Sequence, residues 1–205
     1  MKCSKLLKEA LEGIEDKVSD KDYGLQAVYN WIKHSGAIVK AYLKTGKHKE
    51  LDEFFKSVTP SYKGTTSRIG MIDKDLVNRL KAGDYTTNTF PFATSVNSEE
   101  NDIFSSIVAK RLLKHPDKIK VRYEIDNSNV PQYDLTHVNP AETEVLIKPD
   151  TAFIVDSINR SNDDLVIIKL TATRNRRNKA TISLLSAAIL LPLANKLEIH
   201  QEVKK

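Results

Sequence analysis

Hydrophobic residues recur at helical spacing in the first part of the chain, which predicts an N-terminal helical part over residues 1–58. The pattern is present in four segments, at residues 6–14, 28–32, 38–43 and 51–58. Gly24, Gly36 and Gly46 lie among these segments, where glycine favours helix ends.

The hydrophobic pattern changes after residue 58, and most of the later segments have the patterns of strands. Residues 86–96 are rich in Thr and Phe, residues 119–125 alternate strictly, and residues 145–147, 153–155 and 165–168 are short apolar runs. Two helices interrupt this region. One covers residues 73–81, with Asp73 as its N-cap and Gly83 beyond its end. The other begins at Ser98 and is stopped by Pro116.

The order of these elements predicts an α+β fold with mostly antiparallel strands. Helices come first and strands come later, without the regular strand–helix alternation of a doubly wound parallel sheet. The length of 205 residues suits one domain, or one domain with an appendage.

Composition excludes several kinds of chemistry. Cys3 is the sole cysteine, and the five histidines show no metal-ligand spacing, so no metal cofactor is expected. No glycine follows Gly83, and no glycine-rich phosphate loop is present. The net charge of +5 permits an anionic ligand without indicating one.

Two segments bear on where the protein acts. The N-terminus mixes acidic and basic residues, unlike a signal peptide, and the most apolar segment, residues 182–195, is too short to span a bilayer and contains Pro192. We therefore expect no membrane span and a cytoplasmic location.

The most informative polar motif is Glu142-Thr143-Glu144, immediately before the predicted strand at residues 145–147. Glutamates at i and i+2 near a strand point to the same side. One carboxylate can stabilise a developing positive charge while the other accepts a proton. Glu-x-Glu is also common at solvated strand edges, so the motif alone does not decide.

The context of this motif resembles the ADP-ribosyltransferase exoenzyme family. AETEVLIKPDTAFIV resembles the family's acidic motif, in which Glu-x-Glu precedes two apolar strands separated by a proline. Three further segments follow the family's order: AVYNWIKHSGAIVKAYLKTG resembles its N-terminal helices, SYKG its Tyr-Arg-Gly strand, and FPFATSVNSEENDIF its Ser-Thr-Ser strand and next helix. The resemblance covers residues 24–171, and small phage-encoded members and toxin catalytic domains are nearest in size.

The resemblance implies a split, mostly antiparallel two-sheet core with a cleft for NAD, which is a substrate. The family domain would cover residues 1–172, with the sheet core at 59–172, and residues 173–205 would form a C-terminal extension. Lys63 matches the basic residue that holds the NAD phosphates, with Gly64 allowing close approach and Arg68 as the second choice. The other matched cofactor-binding positions are Thr94 and Ser95, which brace the site, and Phe104, which packs on the nicotinamide.

The resemblance also implies the chemistry. Glu144 matches the catalytic glutamate, and Glu142 matches the glutamate that deprotonates an acceptor arginine. His137 and Asn139 fall in the preceding loop, which contacts the substrate in the family. The expected activity is mono-ADP-ribosyl transfer from NAD to a protein side chain, most simply arginine. In phage relatives the targets include host transcription and translation machinery, and a phage-encoded enzyme would act in the host cytoplasm.

Two departures from the family pattern motivate other hypotheses. Lys63 replaces an arginine and Ala93 replaces the first serine, which favours a weak or catalytically dead relative that acts as a protein-binding module. A third hypothesis is nucleic-acid binding through a basic cluster that no aromatic residue accompanies. The cluster comprises Arg174, Arg176, Arg177 and Lys179.

Overall fold

A computed structural model describes residues 23–96, 100–138, 143–160 and 164–174, with the main chain alone for residues 23–25 and 100–104. Several predictions lie outside the described residues: the helix at 6–14, Cys3, Asn139, Glu142, the basic residues 176–179 and the apolar segment 182–195. The described chain forms two compact units. The first contains residues 23–59, 135–138 and 143, and the second contains residues 60–96, 100–134, 144–160 and 164–174.

The first unit is built on two packed helices, α1 (Tyr23–Thr45) and α2 (Lys49–Ser57). Helix α1 bends at His34, where φ is −132° and ψ is 24°, two residues before Gly36. Gly46, with φ of 71°, ends α1 in the left-handed conformation that favours glycine. The Tyr42 hydroxyl donates to the Asp52 carboxylate and so connects the two helices. The helical predictions for residues 28–32, 38–43 and 51–58 are confirmed, the first two within one bent helix.

The second unit is an eight-stranded sheet with two helices. Helix α3 (Lys74–Arg79) follows the first strand, and helix α4 (Glu100–Leu112) follows the third. The strands are β1 (Thr65–Asp73), β2 (Tyr85–Thr87), β3 (Phe92–Ser95), β4 (Lys118–Asp126), β5 (Tyr133–Asp134), β6 (Glu144–Ile147), β7 (Ala152–Asn159) and β8 (Val166–Thr173). Their order across the sheet is β2-β7-β8-β4-β1-β3-β6-β5. Among these strands, β4 and β8 alone run parallel, so the α+β class with mostly antiparallel pairing is confirmed.

The sheet has a seam between β1 and β3. One Cα pair, Ser67 with Ser95, joins these strands, whereas β1 and β4 are paired along nine positions from Thr65 to Asp73. We call β2-β7-β8-β4-β1 the five-stranded half and β3-β6-β5 the three-stranded half. The expected split core therefore takes the form of two halves that stay hydrogen-bonded at one point.

The core is densest in the short strands. All four residues of β3 and all four of β6 are buried. Phe92, Tyr123 and Phe153 are among the largest fully buried side chains, and the Phe92 and Tyr123 rings meet edge to face with centroids 6.2 Å apart. Such a pair anchors the three-stranded half to β4. Among the described residues, no helix is long and apolar enough to cross a membrane.

Three local predictions differ from the structure. The pattern missed β1 altogether. The predicted strand at 86–96 is two strands, β2 and β3, because a turn closed by Asn88 and followed by Pro91 separates them. Asp73 makes no capping bond to α3, because its carboxylate accepts a hydrogen bond from Lys118 Nζ at 2.6 Å.

Candidate active site

Glu144 is the first residue of β6, and its side chain is 2 % exposed. Its Cα partner across the β3–β6 pair is Ser95, which is also buried. Directly opposed residues of antiparallel strands project to the same face of the sheet. The serine hydroxyl and the carboxylate are thus neighbours, as a residue that braces a catalytic glutamate requires.

Ser67 extends this row across the seam. It is the Cα partner of Ser95 on the side away from Glu144, so Ser67, Ser95 and Glu144 occupy one face of three adjacent strands. Ser67 was not predicted as a site residue, because the hydrophobic pattern does not indicate strand β1. The hydrophobic run Ile69 to Ile72, next to a recognisable helix, was the available signal.

The two residues before Ser95 have different roles. Thr94 is buried, and its Oγ1 donates to the main-chain oxygen of Val145 at 3.0 Å, which ties β3 to β6. Ala93 is opposite Leu146 and brings no hydroxyl to the face that carries Ser95. Ser95 is therefore the residue of this motif that faces the glutamate.

Arg68 spans the seam. It belongs to β1 in the five-stranded half, but its guanidinium carbon lies 4.5 Å from the centroid of the Phe92 ring. Its Nη1 also donates to the main-chain oxygen of Ala93 at 2.5 Å. Both partners belong to the three-stranded half, so this side chain holds the two halves together where the strands have separated.

The electrostatic environment couples Arg68 to Glu144. Burial lowers the pKa of Arg68 from 12.5 to about 10, while the charges of Glu144 and Tyr123 act in the opposite direction. At neutral pH the guanidinium is still a cation, and it attracts the Glu144 carboxylate. Burial also raises the pKa of Tyr123, whose hydroxyl is buried and has no hydrogen-bond partner.

Lys63 and Gly64 lie outside β1. Lys63 is exposed in the segment that precedes the strand. A Cβ atom at Gly64 would lie 2.5 Å from the Tyr62 hydroxyl, which donates to the Thr65 main-chain oxygen at 2.9 Å. A side chain at this position would therefore displace the Tyr62 ring and its hydrogen bond to Thr65. Arg68, the alternative to Lys63, contacts Phe92 and Ala93 of β3, and the charge of Glu144 acts on its pKa.

The remaining predicted site residues are described only in part. Phe104 belongs to α4, but its side chain is outside the described residues, as is Glu142. His137 is exposed in the turn at residues 136–138. Thr143, directly before Glu144, has φ of 40°. A β-branched residue rarely adopts this left-handed conformation, and such strain often occurs at functional positions.

The basic cluster is described in part. Arg174 is exposed immediately after β8, and Arg176, Arg177 and Lys179 are outside the described residues. Within the described ranges, no group of three His, Cys, Asp or Glu side chains is arranged to hold a metal ion.

The chain has the fold of the ADP-ribosyltransferase toxins and exoenzymes. One similar structure is that of Vis, an ADP-ribosyltransferase toxin from Vibrio splendidus, in complex with the M6 inhibitor. The two chains superimpose with a TM-score of 0.58 and are 17% identical, over 89% of this chain and 88% of the toxin. Its complex with agmatine gives a TM-score of 0.54 and 21% identity, over 85% and 78% of the two chains.

A third structure extends the comparison. Exoenzyme S of Pseudomonas aeruginosa, bound to carba-NAD and to human 14-3-3 protein beta, gives a TM-score of 0.55 and 13% identity, over 83% of this chain and 88% of the exoenzyme. No protein-family model matches the chain, and no curated protein sequence matches it. At these identities the likeness establishes the fold, and the function is argued from the residues of the site.

Proposed function

We propose that this protein is a mono-ADP-ribosyltransferase that uses NAD as its substrate and modifies a protein side chain, most simply arginine. One observation carries the proposal: a buried carboxylate, Glu144, lies opposite Ser95, and its charge acts on the partly buried guanidinium of Arg68. A carboxylate in such a position can stabilise a positively charged ribose, the same requirement as in glycoside hydrolysis.

The reaction is a substitution at the ribose carbon that carries nicotinamide. The bond between that carbon and the nicotinamide nitrogen breaks, and its electron pair leaves with neutral nicotinamide. Glu144 stabilises the cationic ribose that remains. A nitrogen of the acceptor guanidine forms the new bond, and the proton it loses goes to Glu142.

We assign the contact with the NAD phosphates to Arg68 in preference to Lys63. The guanidinium presents a planar set of donors that suits phosphate, and it is already oriented by Phe92 and Ala93. An exposed lysine has no comparable orientation. Arg68→Lys is therefore expected to raise the KM for NAD at least tenfold, whereas Lys63→Gln should change it by less than about threefold.

The direct test is nicotinamide release and label transfer from NAD by the purified protein. Agmatine, a small guanidine found bound to Vis, serves as the acceptor. We expect Glu144→Gln to abolish both measurements. Glu124→Gln is a matched control, because Glu124 is a partly buried carboxylate of β4 whose partner is Lys169 at 3.4 Å. Activity that persists in Glu144→Gln would refute the proposal.

The acceptor requires its own test. Glu142→Gln should still release nicotinamide, with water as the acceptor, but should lose transfer to agmatine, because this carboxylate acts on the acceptor alone. Incubating a bacterial lysate with labelled NAD then identifies the modified protein. On the resemblance to phage relatives, we propose a component of host transcription or translation machinery, reached in the host cytoplasm.

Ala93 favours a second candidate function, a protein-binding module that keeps the fold without turnover. The family's first serine hydroxyl is missing at this position, and Ser95 is the alternative donor. The melting temperature with millimolar NAD separates the two functions, because a bound substrate stabilises the folded state. No thermal shift and no nicotinamide release would favour the binding module.

A further inference from the structure

Asn88 lies in the turn between β2 and β3 and is completely buried. Its Nδ2 donates to two main-chain oxygens, those of Phe90 and Lys148, both at 2.8 Å. Its own main-chain oxygen accepts a hydrogen bond from the Asp150 amide at 2.7 Å. One residue thus connects the approach to β3 with the turn that follows β6.

The turn after β6 is shaped around this connection. Asp150 has φ of 60°, in the left-handed region, and the Thr151 hydroxyl donates to the same Lys148 oxygen at 2.7 Å. Asn88 is therefore bonded to a turn of defined conformation. A bond to a mobile segment would not fix the position of the strand.

The position of this turn matters because of the strand pair beyond it. The β3–β6 pair begins with Phe92 opposite Ile147, near Asn88, and ends with Ser95 opposite Glu144. A shift of one residue in this register would move Glu144 to the opposite face of the sheet. The pair is four residues long, so few hydrogen bonds of its own oppose such a shift.

Asn88 also lies where the chain passes from one half of the sheet to the other, since β2 belongs to the five-stranded half and β3 to the three-stranded half. At the seam the halves share one Cα pair, Ser67 with Ser95, together with the Arg68 side chain. The Asn88 bonds act at the opposite end of β3 from that pair. Both ends of the strand that faces Glu144 are thereby held.

We propose that Asn88 is a positioning residue for the reaction, which holds Glu144 in register with Ser95. The inference rests on the proposed function, because it assigns Glu144 the catalytic role. Asn88 acts through the β3–β6 pair and the turn at residues 148–151, and it needs both hydrogens of its amide group. The Asn88 Oδ1 is buried and has no hydrogen-bond partner, so the donor end of the amide carries the effect.

The test compares Asn88→Ala with a control variant that lowers the unfolding free energy at a position away from the β3–β6 pair. In Asn88→Ala we expect the kcat for nicotinamide release to fall about ten- to hundredfold while the KM for NAD stays within about twofold, because the misplaced group is the glutamate and not the phosphate site. Ile168→Ala, at a completely buried position of β8, should lower the unfolding free energy and leave kcat unchanged below the melting temperature. Equal losses of kcat in both variants would overturn the inference, as would an unchanged kcat in Asn88→Ala.

A second variant covers the case in which Asn88→Ala does not fold. Thr151→Val removes one of the two side-chain bonds to the Lys148 oxygen and leaves Asn88 intact. A smaller fall in kcat, about two- to fivefold, is expected if the turn positions Glu144. An unchanged kcat in this variant would count against the inference.

Amide hydrogen exchange measured without NAD tests the same idea independently of turnover. In Asn88→Ala or Thr151→Val, the amides of β3 and β6 should exchange at least tenfold faster, while those of β4 and β8 keep their protection. Unchanged exchange in β3 and β6 would overturn the inference. If the wild-type protein shows no turnover, the proposed function fails, and this measurement alone decides whether Asn88 holds the strand pair.

Discussion

Replacing Arg68 by methionine should abolish activity without destabilising the fold. The side chain lies against the Phe92 ring, with its guanidinium carbon 4.5 Å from the ring centroid, in a position that methionine can occupy with similar volume. The substitution removes the partly buried cation, its attraction for Glu144 and the hydrogen bond to the Ala93 oxygen.

Two opposing contributions determine how Arg68→Met changes the free energy of unfolding: the cost of the cation that is removed and the cost of the main-chain oxygen that loses its donor. A pKa that falls from 12.5 to about 10 means that the folded state destabilises the cation by about 3 kcal/mol. Because the folded pKa is below the unfolded one, this cost is fully present at neutral pH and is relieved as the pH rises from about 10 to 12.5. Leaving the Ala93 oxygen unpaired costs about 1–3 kcal/mol. The two terms nearly cancel, and we expect a change between zero and about 2 kcal/mol in favour of Arg68→Met.

Urea unfolding at pH 7 measures this change, and nicotinamide release measures the loss of activity. Arg160→Met is the control, because its Nη2 also donates to two main-chain oxygens, those of Val77 at 2.7 Å and Leu80 at 3.0 Å, but from an exposed position. That variant should be less stable than the wild type and fully active. If Arg68→Met lowers the unfolding free energy by more than about 2 kcal/mol, the guanidinium stabilises the fold and the argument from burial is wrong.

Three further predictions concern the surroundings of the site. Ser95→Ala should lower the kcat for nicotinamide release about tenfold or more, because Ser95 faces Glu144, and adding Ala93→Ser to this variant should restore part of the loss. Steady-state kinetics that show no change in Ser95→Ala would exclude the bracing role. Gly64→Ala should lower the melting temperature, since its Cβ would come within 2.8 Å of the Tyr62 ring carbon that bears the hydroxyl, and calorimetry that finds an unchanged melting temperature would contradict that geometry. Tyr123→Phe should unfold with equal or higher free energy in urea, because the hydroxyl is buried without a partner, and a loss above about 1 kcal/mol would show that the hydroxyl is paired.

The sequence predicted the parts of the fold in which one residue pattern dominates. The helices at 28–43 and 51–58 have long apolar faces, and the alternation at 119–125 has no other interpretation than a half-buried strand. Strand β1 was missed because its first half, Thr65 to Arg68, is polar and its second half contains Gly70. Its pairing along β4, with nine matched positions, overrides the weak local preference.

In the candidate site, too, the sequence predicted the residues that belong to a local motif and missed those that depend on contacts between distant strands. Glu144 and Ser95 were predicted because a short motif carries them, and their placement opposite each other follows from the register of β3 and β6. Ser67 and the preference for Arg68 over Lys63 depend on how β1 passes β3 at the seam, a contact between residues more than twenty positions apart. The prediction for Asp73 failed because a capping residue cannot be distinguished from an ion-pair partner before Lys118 is known to be adjacent.

The burial of β6 determines how molecules reach its glutamate. Val145, Leu146 and Ile147 are completely buried. Neither face of the strand is therefore accessible to a reactant at the three residues that follow Glu144. Glu144 stands at the beginning of the strand, and Val96, which follows its partner Ser95, is 43% exposed. The Ser95–Glu144 end is therefore the end of this strand pair that leads to an exposed residue, Val96. A larger side chain at Val96 would add bulk there without replacing either member of the pair, so Val96→Trp tests whether access from that end limits the size of the acceptor.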